Sequence, residues 1–185
     1  MRVLVLGSTG FVGRLLAREL VQARHSVEGW SRGELREPGE IPAGLLARRV
    51  DLERDATLPV PDAPWDVVVL AAGPSVPAHV RRAVEGVSTI RIAERALAHV
   101  ARHAPGARVV LVSSAHVVAP SASPLDEHAA LDPQSEYGAA KLAVETLARA
   151  HAPTLDVVVA RLFGSLGPGL PRGLFVSDLV ARLVD

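Results

Sequence analysis

Short β-branched runs alternate along the chain with stretches whose apolar positions recur every three to four residues, the pattern of βαβ units around a parallel sheet. "RVLVL" (2–6) predicts a first strand that breaks at Gly7. A helix follows over 11–23, with Phe11, Leu15, Leu16 and Leu20 along one face. "HSVEGW" (25–30) predicts the second strand and "RRVDL" (48–52) a short third one. "WDVVVLAA" (65–72) is almost wholly apolar, as a parallel strand covered on both faces should be. A long helix is expected over 77–103, opened by Pro77. "ARVVLVSS" (107–114) and "LDVVVARLF" (155–163) predict the last two strands, with a helix near 134–150 between them and another over 173–185. The reading is an α/β domain built on a Rossmann-like, doubly wound parallel sheet.

Composition narrows the class. At 185 residues the chain suits one domain. Twenty basic residues balance twenty acidic ones, so net charge gives no reason to expect nucleic acid or an anionic membrane as a partner. There are no cysteines, which excludes disulfides and thiolate metal sites and fits a reducing, cytoplasmic setting. No apolar run approaches the ~20 residues of a spanning helix.

Candidate chemistry begins where the first strand turns into the first helix. "LGSTGFVG" sets Gly7, Gly10 and Gly13 three residues apart, a variant of the dinucleotide fingerprint. Gly7 would supply a tight turn, Gly10 a backbone that a pyrophosphate can approach, and Gly13 close packing of helix on strand. The helix N-terminus, with Thr9, Phe11 and Val12 about it, would face the phosphates. At the tip of the second strand an NAD site wants a carboxylate for the ribose 2′-hydroxyl; Ser31 and Arg32 stand there. A hydroxyl and a guanidinium suit a 2′-phosphate, so NADP(H) is preferred and NAD(H) remains possible. Glu28 and Glu34 are the competing acids, neither at the strand tip, and Arg32 also reads as an ordinary solvated loop arginine.

The second constellation lies in "QSEYGAAKLAVE" (134–145), which holds the chain's one tyrosine and its single lysine among twenty basic residues. On a helix Tyr137 and Lys141 share a face. A phenol near pKa 10 is a poor proton-transfer group at neutral pH, and bringing it near 7 takes roughly 4 kcal/mol. An adjacent ammonium works in that direction and can also reach ribose hydroxyls. Ser113 and Ser114, at the carboxyl end of the fifth strand, are the candidate hydroxyl partners, since α/β sheets place ligands there.

Taken in order, the glycine loop, "VDL" (50–52), "LAAG" (70–73), "SSAHVV" (113–118), Tyr137-x-x-x-Lys141 and "ARLFGSLGPG" (160–169) resemble the extended short-chain dehydrogenase/reductase superfamily, the NAD-dependent epimerase/dehydratase family. The similarity runs over essentially the whole chain and is greatest to the nucleotide-sugar branch, notably the GDP-4-keto-6-deoxymannose reductases. The resemblance implies a catalytic set of Ser114, Tyr137 and Lys141, with Tyr137 moving a proton to or from a sugar oxygen. It implies that Asp51 and Leu52 line an adenine pocket, that Ala71, Ala72 and Gly73 run along the cofactor, and that Phe163 borders it. It further implies a homodimer through helices 77–103 and 134–150. Family members are longer, so residues 1–170 would form the dinucleotide-binding domain and 171–185 the start of a substrate-binding part. Family dehydratases follow the catalytic hydroxyl with an acidic pair; Ala115 and His116 stand here instead, which argues against 4,6-dehydration.

No metal site is expected. His99 and His103 are four apart, but without H-E-x-x-H or a third ligand they read as a solvated helix face. His116 is a loop histidine with some claim on substrate. Arg161, the one charge on the last strand, reads as a structural partner for a buried carboxylate or carbonyl. Three functions stay open: an NADP(H)-dependent ketoreductase of a nucleotide-linked keto-sugar, an NAD-dependent nucleotide-sugar epimerase, and a non-catalytic dinucleotide-binding module.

Overall fold

The computed structural model describes residues 1–33, 42–73, 83–171 and 175–184. Six parallel strands form one sheet: β1 (Arg2–Leu6), β2 (Ser26–Ser31), β3 (Leu45–Arg49), β4 (Val67–Leu70), β5 (Arg108–Ser114) and β6 (Asp156–Leu162). The order β3-β2-β1-β4-β5-β6 reverses between β1 and β4, which is the Rossmann arrangement with its ligand crevice at that switch point. The helices are α1 (Phe11–Gln22), α2 (Ala83–His103), α3 (Glu136–Ala150) and α4 (Phe175–Val184).

Residue parity assigns the two faces, because successive side chains of a strand point to opposite sides. On one face Leu4, Leu6, Val68, Leu70, Val109 and Leu111 bury against Ala93, Leu97 and Val100 of α2 and Val144 and Ala148 of α3. On the other Val3, Val5 and Val27 pack on Ala17, Leu20 and Val21 of α1. Each fully buried Val or Leu contributes roughly 1.5–3 kcal/mol, so these two layers fix where every strand ends.

The observed strands match the expected ones except at β3, which lies three residues earlier than "RRVDL" suggests. Gly44, at φ +100°, turns the chain so that the strand starts at Leu45. The "VDL" segment then leaves the sheet: Val50 and Leu52 are buried in the core, while the Asp51 carboxylate accepts the amides of Glu53 (3.0 Å) and Arg54 (3.1 Å) and folds a turn. The long helix is described from Ala83; Pro77 and Glu34 lie outside the described residues.

His99 is a correction. It does not face solvent but packs against Trp30 and Trp65, with ring centroids 5.7 and 6.1 Å away, and its Nε2 is 3.1 Å from the Pro59 carbonyl oxygen. The two tryptophans meet edge to face at 5.7 Å and both indole N–H groups donate to Glu28, which also pairs with Arg48 at 2.7 Å. That engagement takes the Glu28 carboxylate out of contention as a ribose ligand. Burial, followed by the neighbouring His103, holds the His99 imidazole below its usual pKa, against the raising effect of the Pro59 bond. Among the described residues no cluster of three or more His, Cys, Asp or Glu could hold a metal, and no helix is long and apolar enough to cross a membrane.

Candidate active site

The crevice opens at the carboxyl ends of β1, β4, β5 and β6 as a cavity of about 300 Å³. Its floor on one side is the β1–α1 junction. Gly7 takes φ +87°, and a Cβ there would stand 2.8 Å from both the Ala71 carbonyl oxygen and the Ala72 nitrogen. A Cβ on Gly13 would run into the Gly7 carbonyl, so α1 can lie this close only with glycine at that position. Gly10 caps α1 without a side-chain bond, and no acidic residue sits in the first turn. The Gly10 amide donates to the Gly7 carbonyl at 2.9 Å, and the amides of Phe11, Val12 and Gly13 head a helix whose N-terminus borders the cavity, which fits the pyrophosphate of a dinucleotide. Gly73 and Ala71 continue the lining from β4, whereas Ala72 packs toward the core.

The adenosine end is organised by β2 and the turn after β3. Ser31 is buried with its hydroxyl donating to the Gly33 carbonyl at 3.3 Å, and Arg32 is exposed just beyond. Thr9 is exposed, and its hydroxyl would stand 4.0 Å from a Cβ on Gly33, so the glycine loop touches the β2 tip. The Val50 amide donates to the Ser31 carbonyl at 2.8 Å, which holds Asp51 beside that tip. Leu52 is buried in the main core and does not line the cavity.

Opposite stand β5 and α3. Parity separates the two serines: Ser113 shares the face of Val109 and Leu111, so it meets α3 and donates to Glu145 Oε1 at 2.6 Å. Ser114 stands close enough to Tyr137 to draw its pKa downward, and its oxygen accepts the His116 amide at 3.3 Å. Ser135 caps α3 by accepting the Gly138 amide at 3.1 Å. Tyr137 and Lys141 then project from one face, with Lys141 Nζ 5.9 Å from the phenol ring centroid and donating to the Val112 carbonyl at 3.1 Å.

Burial pushes the Tyr137 phenol above its ordinary pKa and the Ser114 hydrogen bond draws it partly back. Burial lowers the pKa of the Lys141 ammonium. The expected lowering of Tyr137 by Lys141 is therefore not what this geometry gives: desolvation dominates, and the ammonium lies over the ring, 5.9 Å from its centroid.

Several residues of the site carried little signal in the sequence. Gly138 is essential to the approach of α3, since a Cβ there would meet the His116 carbonyl. His116 is exposed, lines the cavity and meets the Tyr137 ring edge to face at 5.6 Å. Glu145 is fully buried and is bound by Arg161 through Nε (3.0 Å) and Nη2 (2.9 Å), which identifies the buried carboxylate that Arg161 required. Phe163, Ser165, Leu170 and Pro171 close the cavity from the segment after β6. That segment is tied to α1 by Arg14, whose Nη2 donates to the Pro168 carbonyl at 2.7 Å.

A glycine-bordered helix N-terminus at the switch point, facing a serine, a tyrosine and a lysine across one crevice, defines a dinucleotide-binding Rossmann domain of short-chain dehydrogenase/reductase type. The chain belongs to the NAD dependent epimerase/dehydratase family, whose model matches residues 3–185. It is 38% identical to 2′-dehydrokanamycin reductase of Streptomyces kanamyceticus, over 81% of this chain and 38% of that protein. It is 32% identical to dTDP-6-deoxy-L-talose 4-dehydrogenase (NAD(P)(+)) of Kitasatospora kifunensis, over 98% of this chain and 58% of that one. Among solved structures, MoeE5 in complex with UDP-glucuronic acid and NAD superposes with a TM-score of 0.81 at 28% identity, over 98% of this chain and 61% of that one. The chain thus spans between 38% and 58% of the length of these two curated relatives.

Proposed function

We propose that this chain is the cofactor-binding and proton-transfer part of an NADP(H)-dependent ketoreductase acting on a nucleotide-linked keto-sugar. The observation that carries the reading is the convergence of Ser114, Tyr137 and Lys141 on the cavity that the α1 N-terminus borders. The cofactor, when bound, supplies the hydride. Ser114 donates its hydroxyl proton to the reacting oxygen while its oxygen accepts the His116 amide. Tyr137 gives up its proton to that oxygen, and the raised phenol pKa keeps the proton in place beforehand. Lys141, anchored by one bond to Val112, has N–H groups left for the nicotinamide ribose. Positioned proton transfer of this kind contributes about 10²–10⁴-fold.

Residues 1–170 serve as the dinucleotide domain, and residues from 171 on begin the part that meets the sugar. Two such chains associate through the helices expected over 77–103 and 134–150; within one chain α2 already lies on α3, where a Cβ on Gly86 would stand 3.7 Å from that of Ala140. The preference for NADP(H) rests on Ser31 and exposed Arg32 at the β2 tip, the neighbouring Asp51 carboxylate being engaged by the amides of Glu53 and Arg54. A second reading, an NAD-dependent epimerase that retains its cofactor, draws support from the NAD in the MoeE5 complex.

Intrinsic fluorescence separates the two. The Trp30 carbonyl accepts the amides of Gly7 (2.8 Å) and Ser8 (3.2 Å), so loading the glycine loop is felt at the indole. NADPH is expected to bind about tenfold or more tightly than NADH, and Arg32→Glu to invert that order. Tighter NADH binding by the unaltered chain would move the reading to the epimerase. Binding of neither, together with function undisturbed by Tyr137→Phe, would leave a non-catalytic module.

A further inference from the structure

Tyr137, Lys141 and Glu145 succeed one another at four-residue intervals on one face of α3, so the buried carboxylate stands one turn beyond the ammonium. Both groups are nearly or fully removed from water, at 9% and 0% exposure. Their strand partners are consecutive residues of β5, Val112 for Lys141 and Ser113 for Glu145. An ammonium and a carboxylate four residues apart on a helix are close enough to pair, though less favourably with the lysine first. Here they do not: both ion pairs of Glu145 go to arginines, at 2.9 Å to Arg161 and 3.2 Å to Arg149. Arg161 reaches across from β6 with two nitrogens and is itself only 14% exposed, whereas Arg149 is half exposed and makes one bond. The two carboxylate oxygens are filled by Ser113, Arg149 and the Arg161 fork.

We propose that Arg161 is a positioning residue that sequesters the Glu145 carboxylate from Lys141, so that the ammonium stays unpaired and available to the cavity. The fork geometry explains why arginine rather than lysine occupies position 161: a planar guanidinium takes both carboxylate oxygens at once and leaves none turned toward Lys141. The inference rests on the reading of Lys141 as the group that holds the cofactor ribose, but the charge arrangement stands apart from it.

Of the titratable and charged groups near Lys141, Tyr137 and His116 line the same cavity, while Glu145, one turn on along α3, is bound by Arg149 of α3 and Arg161 of β6. Because the chain has one lysine, ¹³Cε labelling gives a single side-chain resonance whose titration belongs to that site. In Arg161→Met the Lys141 titration should move upward as Glu145 turns to it, and NADPH binding should weaken roughly tenfold or more. In Arg161→Met/Glu145→Gln both should return to their original values. Glu145→Gln alone keeps the size and acceptor of the side chain but leaves the charges of Arg161 and Arg149 uncompensated, so it should move the Lys141 titration downward, opposite in sign to Arg161→Met. An unmoved lysine in folded Arg161→Met would overturn the inference. An upward move in Arg161→Met with NADPH affinity unchanged would uphold sequestration and remove Lys141 from the cofactor site.

Discussion

Two glycines perform the same task on opposite sides of the crevice. Gly13 lets α1 press against the Gly7 carbonyl at the β1 end, and Gly138 lets α3 press against the His116 carbonyl at the β5 end. Around them the two regions are built differently. The β1 side presents backbone: a left-handed Gly7, an uncapped helix N-terminus and short apolar side chains. The β5 side presents buried polar side chains, each held by a partner: Ser113 on Glu145, Arg161 on Glu145 and Lys141 on the Val112 carbonyl. Binding a dinucleotide's phosphates needs close approach and fixed amides, which any residue without a side chain supplies. Moving a proton needs particular functional groups at fixed distances, which require a scaffold of their own.

The sharpest break between the regions should come from adding one methyl group to each. Gly13→Ala is expected to forfeit dinucleotide binding, because the new Cβ and the Gly7 carbonyl cannot both stay and relief by moving α1 opens the phosphate cradle. Gly138→Ala should leave that cradle intact and displace Tyr137 from Ser114 instead. Each forced shift costs upwards of ~3 kcal/mol locally, on the order of a hundredfold in the property affected. Gly13→Ala should therefore lose NADPH binding by calorimetry and, with it, single-turnover ketone reduction, whereas Gly138→Ala should keep NADPH binding and lose reduction alone. Equal loss of both properties in both variants would mean the crevice behaves as one unit.

The same contrast governs what the sequence discloses. The β1 side was legible because its constraints are local: three glycines within seven residues, directly after an apolar strand, mark a strand-to-helix turn built for phosphate. Tyr137 and Lys141 were legible for a similar reason, being four apart on a helix whose period is plain. The Ser113–Glu145 and Arg161–Glu145 contacts join residues 32 and 16 positions apart, and nothing in the periodicity names Glu145 as Arg161's partner. One signal was available: with Val109 and Leu111 facing the helices, Ser113 had to face them too, and a buried serine needs an acceptor. His99 misled because a four-residue histidine pair on a polar-looking helix face conceals the two tryptophans brought under it by β2 and the segment just before β4. The β3 offset has the same origin, since "VDL" looks like a strand but serves as a turn whose flanking residues are core anchors.

A smaller effect should distinguish function from stability on the β5 side. Lys141 is buried with one hydrogen bond to a carbonyl, and desolvation lowers its pKa, so the folded state disfavours its charge. A basic group whose folded pKa is depressed weighs against the fold wherever it must remain protonated. Lys141→Met, similar in length and uncharged, is expected to raise stability by about 1 kcal/mol while abolishing cofactor-dependent turnover. Urea denaturation at neutral pH checks the first and ketone reduction the second. A loss of stability would place the Val112 bond above the desolvation cost and make Lys141 part of the scaffold.

The smallest effect separates the regions by pH. His99, under the β2 edge, has a folded pKa below its unfolded value of about 6.5, so the unfolded chain takes up its proton first as pH falls. The stability associated with it is complete above 6.5, declines as pH drops below that, and stops declining below the folded value. Glu145 has the opposite character: burial raises its pKa, but hydrogen bonds from Arg161 and Ser113 and the charges of Arg161 and Arg149 bring it below 4.5. Its contribution is present above 4.5 and is lost only as pH falls from there through the folded value. Acid should therefore weaken the β2 side first and the β5 side later. His99→Gln, which keeps a donor for the Pro59 carbonyl, is expected to flatten the decline just below 6.5 by under ~1 kcal/mol, the imidazole being only partly buried. Glu145→Gln should leave that window untouched and flatten the one below 4.5. Urea midpoints of the three proteins at closely spaced pH values decide it, and a Glu145→Gln change in the pH slope above pH 6, beyond a constant offset, would show that the two regions do not titrate independently.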